Sequence, residues 1–425
     1  MTACVAFDLA RLFIGPMTPT PRGIDRVDLA YARHFFELWN GDCVGVLPTP
    51  WGVRWFNRDR SLRVVSFIED VWGETTEPQI DPAYHWLKDK VLGREPSIAL
   101  PKQRSGATRL LRGFAKFLRH HGFTFGHPVA TLPPGTVYFN TGQIALTVPL
   151  FLKWLASRAD IKPVFMLQDV IPIENPEYTS GLTSRAHLQM LASTARHAKG
   201  LIVTTQAAAE KIARELARLK GRSIPMLARP LPVSSQFLQP AAPDPDLRDI
   251  PYFVICGPIE PRKNHLLLLN VWRELVARQD QKSPRLVIIG SRWRTNNAVI
   301  DMLERCPLLK NFVVEVAGLS TPALIRILAG ARALLMPSFA EGFGMPIIEA
   351  LAVGTPVIAS DIDAHREAGG SFVTYLSPID GLGWLAAIQS HSSDSDRSVW
   401  RQNKHYQPQS AADYFPHIEH FIGSL

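Results

Sequence analysis

One stretch, Ser338-Phe-Ala-Glu-Gly-Phe-Gly-Met-Pro-Ile-Ile-Glu-Ala-Leu-Ala-Val-Gly-Thr-Pro-Val-Ile-Ala-Ser-Asp361, constrains what this chain can fold into more than any other. It reads as a strand end, a glycine turn, a helix and a further strand. Gly342 and Gly344 free the turn from the Cβ restriction, so the backbone bends tightly and a ligand can come close. Pro346 fits the first helical position, where its missing N–H costs nothing. Gly354 supplies a left-handed stop, Pro356 blocks continuation, and Val357 to Ala359 read as a buried strand. The turn therefore aims free backbone N–H groups and the positive end of a helix dipole at one spot, which attracts anions and phosphate above all.

Two carboxylates flank that spot: Glu341 lies in the turn and Glu349 inside the helix. A carboxylate accepts paired hydrogen bonds from vicinal hydroxyls, such as those of a ribose or a hexose. The E-x7-E segment from Glu341 to Glu349 resembles the nucleotide-sugar site of retaining GT-B glycosyltransferases of family 4. The resemblance implies that Glu349 holds the ribose, while Glu341 and the amides near Phe343, Gly344 and Met345 hold the sugar ring. Glu341 is then either a nucleophile or, in a front-face reaction, a ring contact while the leaving phosphate takes the acceptor proton.

Upstream, the strand Tyr252 to Cys256 runs into Gly257-Pro-Ile-Glu-Pro-Arg-Lys-Asn264 and then a helix. Arg262 and Lys263 resemble the family's diphosphate-binding pair, with Gly257 at the turn; Pro258 stands where many members carry a basic residue. Leu286 to Ile289, Phe312 to Val316 and Ala333 to Met336 read as parallel-sheet strands, with helices at 297–305 and 320–329 between them. Arg292 and Trp293, in the loop after the first of these, are candidates to hold a phosphate and stack a base. Asp361-Ile-Asp363 has the form of a metal-nucleotide motif but follows the last core strand, so no metal ligand is assigned and the resemblance implies a metal-independent enzyme without a cofactor.

The first half also alternates strands and helices. Ala3 to Phe7 reads as a strand, followed by a Pro- and Gly-containing loop and a helix from Ile24 to Trp39. Loops at the carboxyl ends of parallel strands line ligand crevices, so Arg22, Gly23, Ile24 and Arg26 are contact candidates, with helix capping an equal reading for Gly23. Val137 to Phe139 precedes Asn140-Thr-Gly-Gln143, and Pro163 to Leu167 precedes Gln168-Asp169. The latter resembles the family's acceptor-side His-Asp pair with Gln168 in place of the His. Asp169 is either a general base or a cap on the following turn.

A Pro-rich linker between Pro225 and Pro251 separates the two α/β series, giving an α/β architecture of two Rossmann-like doubly wound domains facing a central cleft, and the family resemblance implies that this architecture is GT-B. The boundaries expected are 1–240 for acceptor binding and 241–425 for nucleotide-sugar binding. Ser410 to Ile422 reads as a terminal helical segment that Pro416 kinks or splits, and it is placed to return to the first domain.

The formal net charge of +8 over 425 residues implies an anionic partner. No acidic residue lies between Glu95 and Asp160, whereas Lys102, Arg104, Arg109, Arg112, Lys116, Arg119, Lys153 and Arg158 do. Within that span Leu110, Leu111, Phe114, Phe117 and Leu118 recur at helical spacing opposite the basic residues, giving either an interfacial helix or a solvated one packed on its own domain. No RNA-binding signature or zinc-finger spacing favours nucleic acid. Four scattered cysteines support neither a metal site nor a disulfide framework.

These features and the resemblance together imply a glycosyltransferase moving a hexose from a GDP- or UDP-sugar to a saccharide or polyprenyl-diphosphate-linked acceptor in bacterial surface polysaccharide assembly. Its expected location is cytoplasmic, or peripheral on an anionic inner membrane face. A nucleotide-sugar epimerase or phosphorylase on the same fold, and a non-catalytic membrane-associated scaffold, are the alternatives.

Overall fold

The computed structural model describes residues 4–17, 21, 23–72, 76–100, 106–219, 223–292, 296–392 and 405–425. Arg22, Lys102, Arg104 and Trp293, and the side chain of Arg109, lie outside the described residues. The chain divides into two compact units: residues 1–73, 103–231 and 411–425 form the first, and 74–102 with 232–410 the second.

The first unit is built on a sheet of eight strands: β1 (Val5–Asp8), β2 (Cys43–Thr49), β3 (Gly52–Phe56), β4 (His127–Pro128), β5 (Val137–Asn140), β6 (Lys162–Leu167), β7 (Gly200–Val203) and β8 (Met226–Ala228). Their order is β4-β3-β2-β1-β5-β6-β7-β8. β1 pairs in parallel with β2 on one side and β5 on the other, with Val5 opposite Cys43 and Val137. Both β1 and β5 are buried along their whole length, which is why they read as continuous apolar runs rather than alternating ones. The β2–β3 and β3–β4 pairs are antiparallel, so this sheet carries a hairpin edge that a purely doubly wound reading omits. The helix starting at Gly23 runs as Gly23–Arg33 and passes into a single wider turn, His34–Leu38.

The second unit has six parallel strands: β9 (Tyr252–Cys256), β10 (Arg285–Ile289), β11 (Val313–Val316), β12 (Leu334–Met336), β13 (Val357–Ser360) and β14 (Val373–Leu376). The order β11-β10-β9-β12-β13-β14 reverses direction between β9 and β12. In an open parallel sheet the loops after the strands on either side of such a reversal diverge and leave a crevice at the carboxyl edge. The core beneath is formed by Phe253, Ile255, Leu268, Trp272, Leu275 and Trp384, all at most 1% exposed.

Two features depart from contiguous domains split at 240/241. Residues 74–102 belong to the second unit, because Asp81 both caps its own helix Pro82–Val91 and accepts the Ser320 N–H at 2.8 Å. Lys88 adds ion pairs to Asp244 at 3.1 Å and Asp246 at 2.5 Å. The terminal helix Ala411–Ser424 groups with the first unit and runs through Pro416 unsplit. Its buried Tyr414, Phe415, Ile418 and Ile422 account for this, since Tyr414 hydroxyl meets that of Tyr31 at 2.6 Å and Phe415 stacks on His34 at 3.9 Å. Among the described residues no helix is long and apolar enough to cross a membrane.

Candidate functional site

The reversal between β9 and β12 brings together the two loops singled out in the second half of the sequence. After β9 the backbone turns at Gly257, whose φ of +136° is open only to glycine at low cost. The absent side chain also makes room, because a Cβ at Gly257 would lie 3.2 Å from Cε of Lys263. The following turn Pro261–Lys263 ends at Asn264 in the left-handed conformation, and the helix His265–Gln279 starts there. The Asn264 amide donates to the carbonyls of Pro337 at 3.1 Å and Pro378 at 2.8 Å, while Phe339 N–H donates to the Arg262 carbonyl at 2.8 Å. The loops after β9 and β12 are thereby fastened to each other.

Glu341 sits at the centre of this junction with its side chain 7% exposed. It receives Arg262 Nη1 at 2.5 Å, the Lys263 ammonium, and the Ser338 hydroxyl at 2.8 Å. Arg262 also meets Glu260 at 2.6 Å and the Ala340 carbonyl at 3.0 Å. Burial alone would raise the Glu341 pKa, but the Arg262 and Lys263 charges overcome it and hold the carboxyl well below the usual range. His265, the first residue of its helix, is buried beside Lys263; burial and then the Lys263 charge push its pKa down to about 3, leaving a neutral imidazole.

The helix Met345–Ala352 begins at Gly344, whose φ is +119°, with Pro346 in its first turn. Glu349 is buried one turn in, at 3% exposure. A Cβ on Gly344 would lie 3.4 Å from the His365 ring, and that ring's Nδ1 is 2.9 Å from the Ser360 carbonyl. Gly257, Arg262, Lys263, Glu341, Phe343, Gly344, Met345 and Glu349 thus all lie on the two loops and helix starts bordering one reversal. Arg292 is engaged otherwise: its guanidinium bonds both oxygens of Glu315 at 2.9 Å and pairs with Glu304. Asp361 is bound by Arg366 at 2.5 Å, so it stands as an ion-pair partner.

The acceptor-side candidates lie in the first unit. Asn140 accepts the Gln143 N–H at 2.8 Å, and Gln143 has a φ of +67° and donates its amide to Met166. Asp169 accepts the Ile171 N–H at 3.0 Å, which is the turn-capping arrangement. Gln168 receives the Thr204 hydroxyl on its carbonyl at 3.3 Å, Gly23 is the exposed first residue of its helix, and Arg26 is half-buried.

Sequence reasoning missed a cluster of buried polar groups near the carboxyl ends of β1 and β5. Asp8 accepts the Tyr138 hydroxyl at 2.5 Å, Arg11 binds Asp25 at 2.7 Å, and Asp28 accepts the Thr141 hydroxyl. Burial pushes the Asp28 carboxyl up to about 8 and that of Asp8 to about 6. Two acids on one face of a helix, at 25 and 28, below a strand ending in Asp8 were the available signal.

The family described as "Glycosyl transferases group 1" matches residues 250–389. Among curated relatives, the "Serotype-specific mannosyltransferase WbdA" of Escherichia coli is 27% identical over 266 residues, taking in 56% of this chain and 32% of that protein. The "O-antigen chain mannosyltransferase RfbU" of Salmonella typhimurium is 34% identical over 142 residues, 33% of this chain and 38% of that protein. The chain therefore spans about a third of the length of the curated relatives it matches. Among solved structures, Anabaena Alr3699/HepE in complex with UDP-glucose aligns with 99% of this chain and 100% of its own at a TM-score of 0.62 and 15% identity. Sucrose-phosphate synthase from Thermosynechococcus elongatus aligns over 99% and 98% at 0.57 and 16%. The fold is GT-B, and the segment 250–389, which carries the Arg262–Lys263–Glu341 junction, is a group 1 glycosyl transferase domain.

Proposed function

We propose that this chain transfers a hexose from a nucleoside diphosphate sugar to a saccharide acceptor with retention of anomeric configuration, in the assembly of a bacterial surface polysaccharide. The names of the relatives favour mannose as the sugar. The observation that carries the reading is the convergence of Arg262, Lys263 and Glu341 at the β9/β12 reversal, beside the start of the helix bearing Glu349.

In this reading Arg262, Lys263 and the N–H groups at Gly344 and Met345 stabilise the charge that grows on the diphosphate as the anomeric C–O bond breaks, in place of a metal. Glu349 holds the ribose. Glu341, drawn to two cations and a hydroxyl, is a weak base and a poor nucleophile, which favours its role as the group that orients the cations and the sugar ring. The leaving phosphate then takes the acceptor hydroxyl's proton as the new C–O bond forms on the same face. Asp169, Gly23, Arg26, Asn140, Gln143 and Gln168 are assigned to the acceptor side, with Asp169 in a positioning role that its bond to Ile171 supports. The acceptor is assigned as a polyprenyl-diphosphate-linked saccharide at an anionic inner membrane face, because of the acid-free basic segment.

A thermal-shift screen against GDP, UDP, their hexose conjugates and the free nucleosides tests the donor half, since a ligand of the native state alone raises stability with the logarithm of its concentration over Kd. Stabilisation by one nucleoside diphosphate series is the expected result, followed by transfer of the labelled hexose to a saccharide acceptor. Absence of any shift from every nucleoside diphosphate contradicts it.

A further inference from the structure

When a diphosphate takes Arg262 and Lys263, Glu341 loses the two cations that neutralise it in the free protein. Its side chain is only 7% exposed, so water cannot replace them. A buried charge left without a partner is costly, and the carboxylate then needs either a second cation or a proton.

His365 stands beside this turn with a lone pair to spare. It lies in the helix Asp363–Gly369 and is fully buried. Its Nδ1 is 2.9 Å from the Ser360 carbonyl, which can only accept, so Nδ1 carries the proton of the neutral ring and Nε2 the lone pair. Nε2 is buried and has no hydrogen-bond partner among the described residues. The adjoining ring carbon, Cδ2, lies 3.4 Å from where a Cβ on Gly344 would stand, so the ring edge bearing Nε2 is set against the turn from Glu341 to Gly344. The Tyr375 hydroxyl, from β14, donates to the His365 carbonyl at 3.0 Å and so binds the backbone, not the ring.

The charges acting on this ring come from the two loops of the donor site. Burial lowers its pKa, the Glu341 charge and the Ser360 bond raise it, and Lys263 and Arg262 lower it; the balance lies below the usual histidine value, leaving a neutral ring in the free protein. Phosphates on Lys263 and Arg262 offset the two charges that disfavour an imidazolium and leave the one that favours it. A histidine, ordinarily near about 6.5, needs a smaller rise to hold a proton at neutral pH than a carboxyl ordinarily near about 4.3. His265 is the poorer acceptor, because burial and Lys263 hold it at about 3.

We propose that His365 is a positioning residue for the donor: as the diphosphate claims Arg262 and Lys263, Nε2 takes one proton from solvent, and the imidazolium so formed becomes the partner of Glu341. Glu341 thereby stays ionised and oriented towards the sugar ring while its original partners serve the phosphates. The inference rests on the donor site proposed above and adds a coupling of that site to pH.

The test is calorimetric titration of the full chain with UDP-glucose and GDP-mannose at about pH 7 in buffers of different ionisation enthalpy, where the dependence of the heat on the buffer gives the protons taken up. The phosphates of these sugar nucleotides have no proton to exchange near neutrality. The unmodified chain is expected to take up about half a proton or more per sugar nucleotide bound, and its affinity to fall by up to about tenfold per unit as the pH rises from about 6 to about 8. Uridine and guanosine leave Glu341 its cations and are expected to take up none. His365→Asn keeps an N–H for the Ser360 carbonyl but has no base at the Nε2 position, so uptake and the pH dependence should both be lost. The nucleoside comparison needs no variant and decides the matter even where His365→Asn does not fold. Binding without proton uptake, equal uptake with the nucleosides, or undiminished uptake in folded His365→Asn overturns the proposal alone, the last by placing the proton on another group. Absence of binding by either sugar nucleotide overturns the donor reading and the proposal together, so the two failures are separable.

Discussion

The Glu341 carboxylate lies 2.5 Å from Nη1 of Arg262, and its other oxygen receives Lys263, so the two cations assigned to a diphosphate are already neutralised by a carboxylate in the free protein. A diphosphate must therefore compete with Glu341 for them. This gives Glu341 a dual effect: it holds the cations in place and weakens their grip on the ligand.

Glu341→Gln separates these effects. The substitution leaves Arg262 and a largely buried Lys263 without their counter-charge, and removing one partner of a buried pair costs about 3–5 kcal/mol. The variant is expected to melt lower when free, to gain more stability from a nucleoside diphosphate than the unmodified chain does, and to lose kcat. Glu349→Gln should instead raise the donor KM through lost ribose contacts, since ground-state and transition-state interactions divide in this way. Steady-state donor hydrolysis with both variants checks the split; two variants with unaltered turnover would remove both residues from the site.

Gly257→Ala places a methyl group on a backbone at φ +136° and 3.2 Å from the Lys263 stem. Strain of this kind costs on the order of 1–3 kcal/mol. The expected outcome is a lower melting temperature together with a raised KM for the donor, because Lys263 is pushed from Glu341. A variant whose stability falls while KM stays constant would show that Gly257 serves the fold alone.

Stability should carry the signature of Asp28. Its carboxyl titrates near 8 in the folded chain against 3.8 in the unfolded one, with burial as the main cause. Between those values the native state holds a proton that the unfolded state has released, so this group's contribution is full below about pH 4 and declines as pH rises towards 8. Asp28→Asn removes the decline and keeps an acceptor for the Thr141 hydroxyl. Denaturant unfolding at several pH values should show the variant gaining on the unmodified chain from pH 4 to 8, and parallel curves would contradict the assignment.

Much of the fold and of the site is legible in the sequence. Tyr252–Cys256 and Asn297–Arg305 emerge with the expected bounds, and the turn from Gly342 to Gly354 folds as its glycines and prolines require, because local chemistry decides both. What the sequence withheld depends on tertiary partners. The Glu341 pairing with Arg262 links residues 79 apart, and nothing local announces it. Residues 74–102 join the second unit through Asp81, Tyr84 and Lys88, whose partners Ser320, Asp244 and Asp246 are remote in sequence. Pro416 reads as a helix breaker, and only the aromatic packing of Tyr414 and Phe415 outweighs it. Arg292 reads as a free loop cation until Glu304 and Glu315 are placed beside it.

The basic helix should attach the chain to anionic surfaces. Each basic residue near such a leaflet contributes about 1 kcal/mol, fading within a Debye length of about 8 Å at physiological salt. Co-sedimentation with anionic but not neutral liposomes is expected, with release by high salt. Changing Arg109, Arg112, Lys116 and Arg119 to Ser should abolish attachment while nucleotide binding persists. Attachment indifferent to lipid charge, or unaltered in that variant, would refute it.

The placement of the donor requires that Arg262 and Lys263 face its diphosphate. Calorimetric titration of the unmodified chain, Arg262→Ala and Lys263→Ala with a nucleoside diphosphate and with the matching nucleoside decides this. Charge-assisted hydrogen bonds are worth about 1.5–3 kcal/mol each, so each substitution should weaken diphosphate binding by that order and leave nucleoside binding nearly constant. Equal losses for nucleoside and diphosphate, or no loss for either, would contradict the placement of the donor at the β9/β12 reversal.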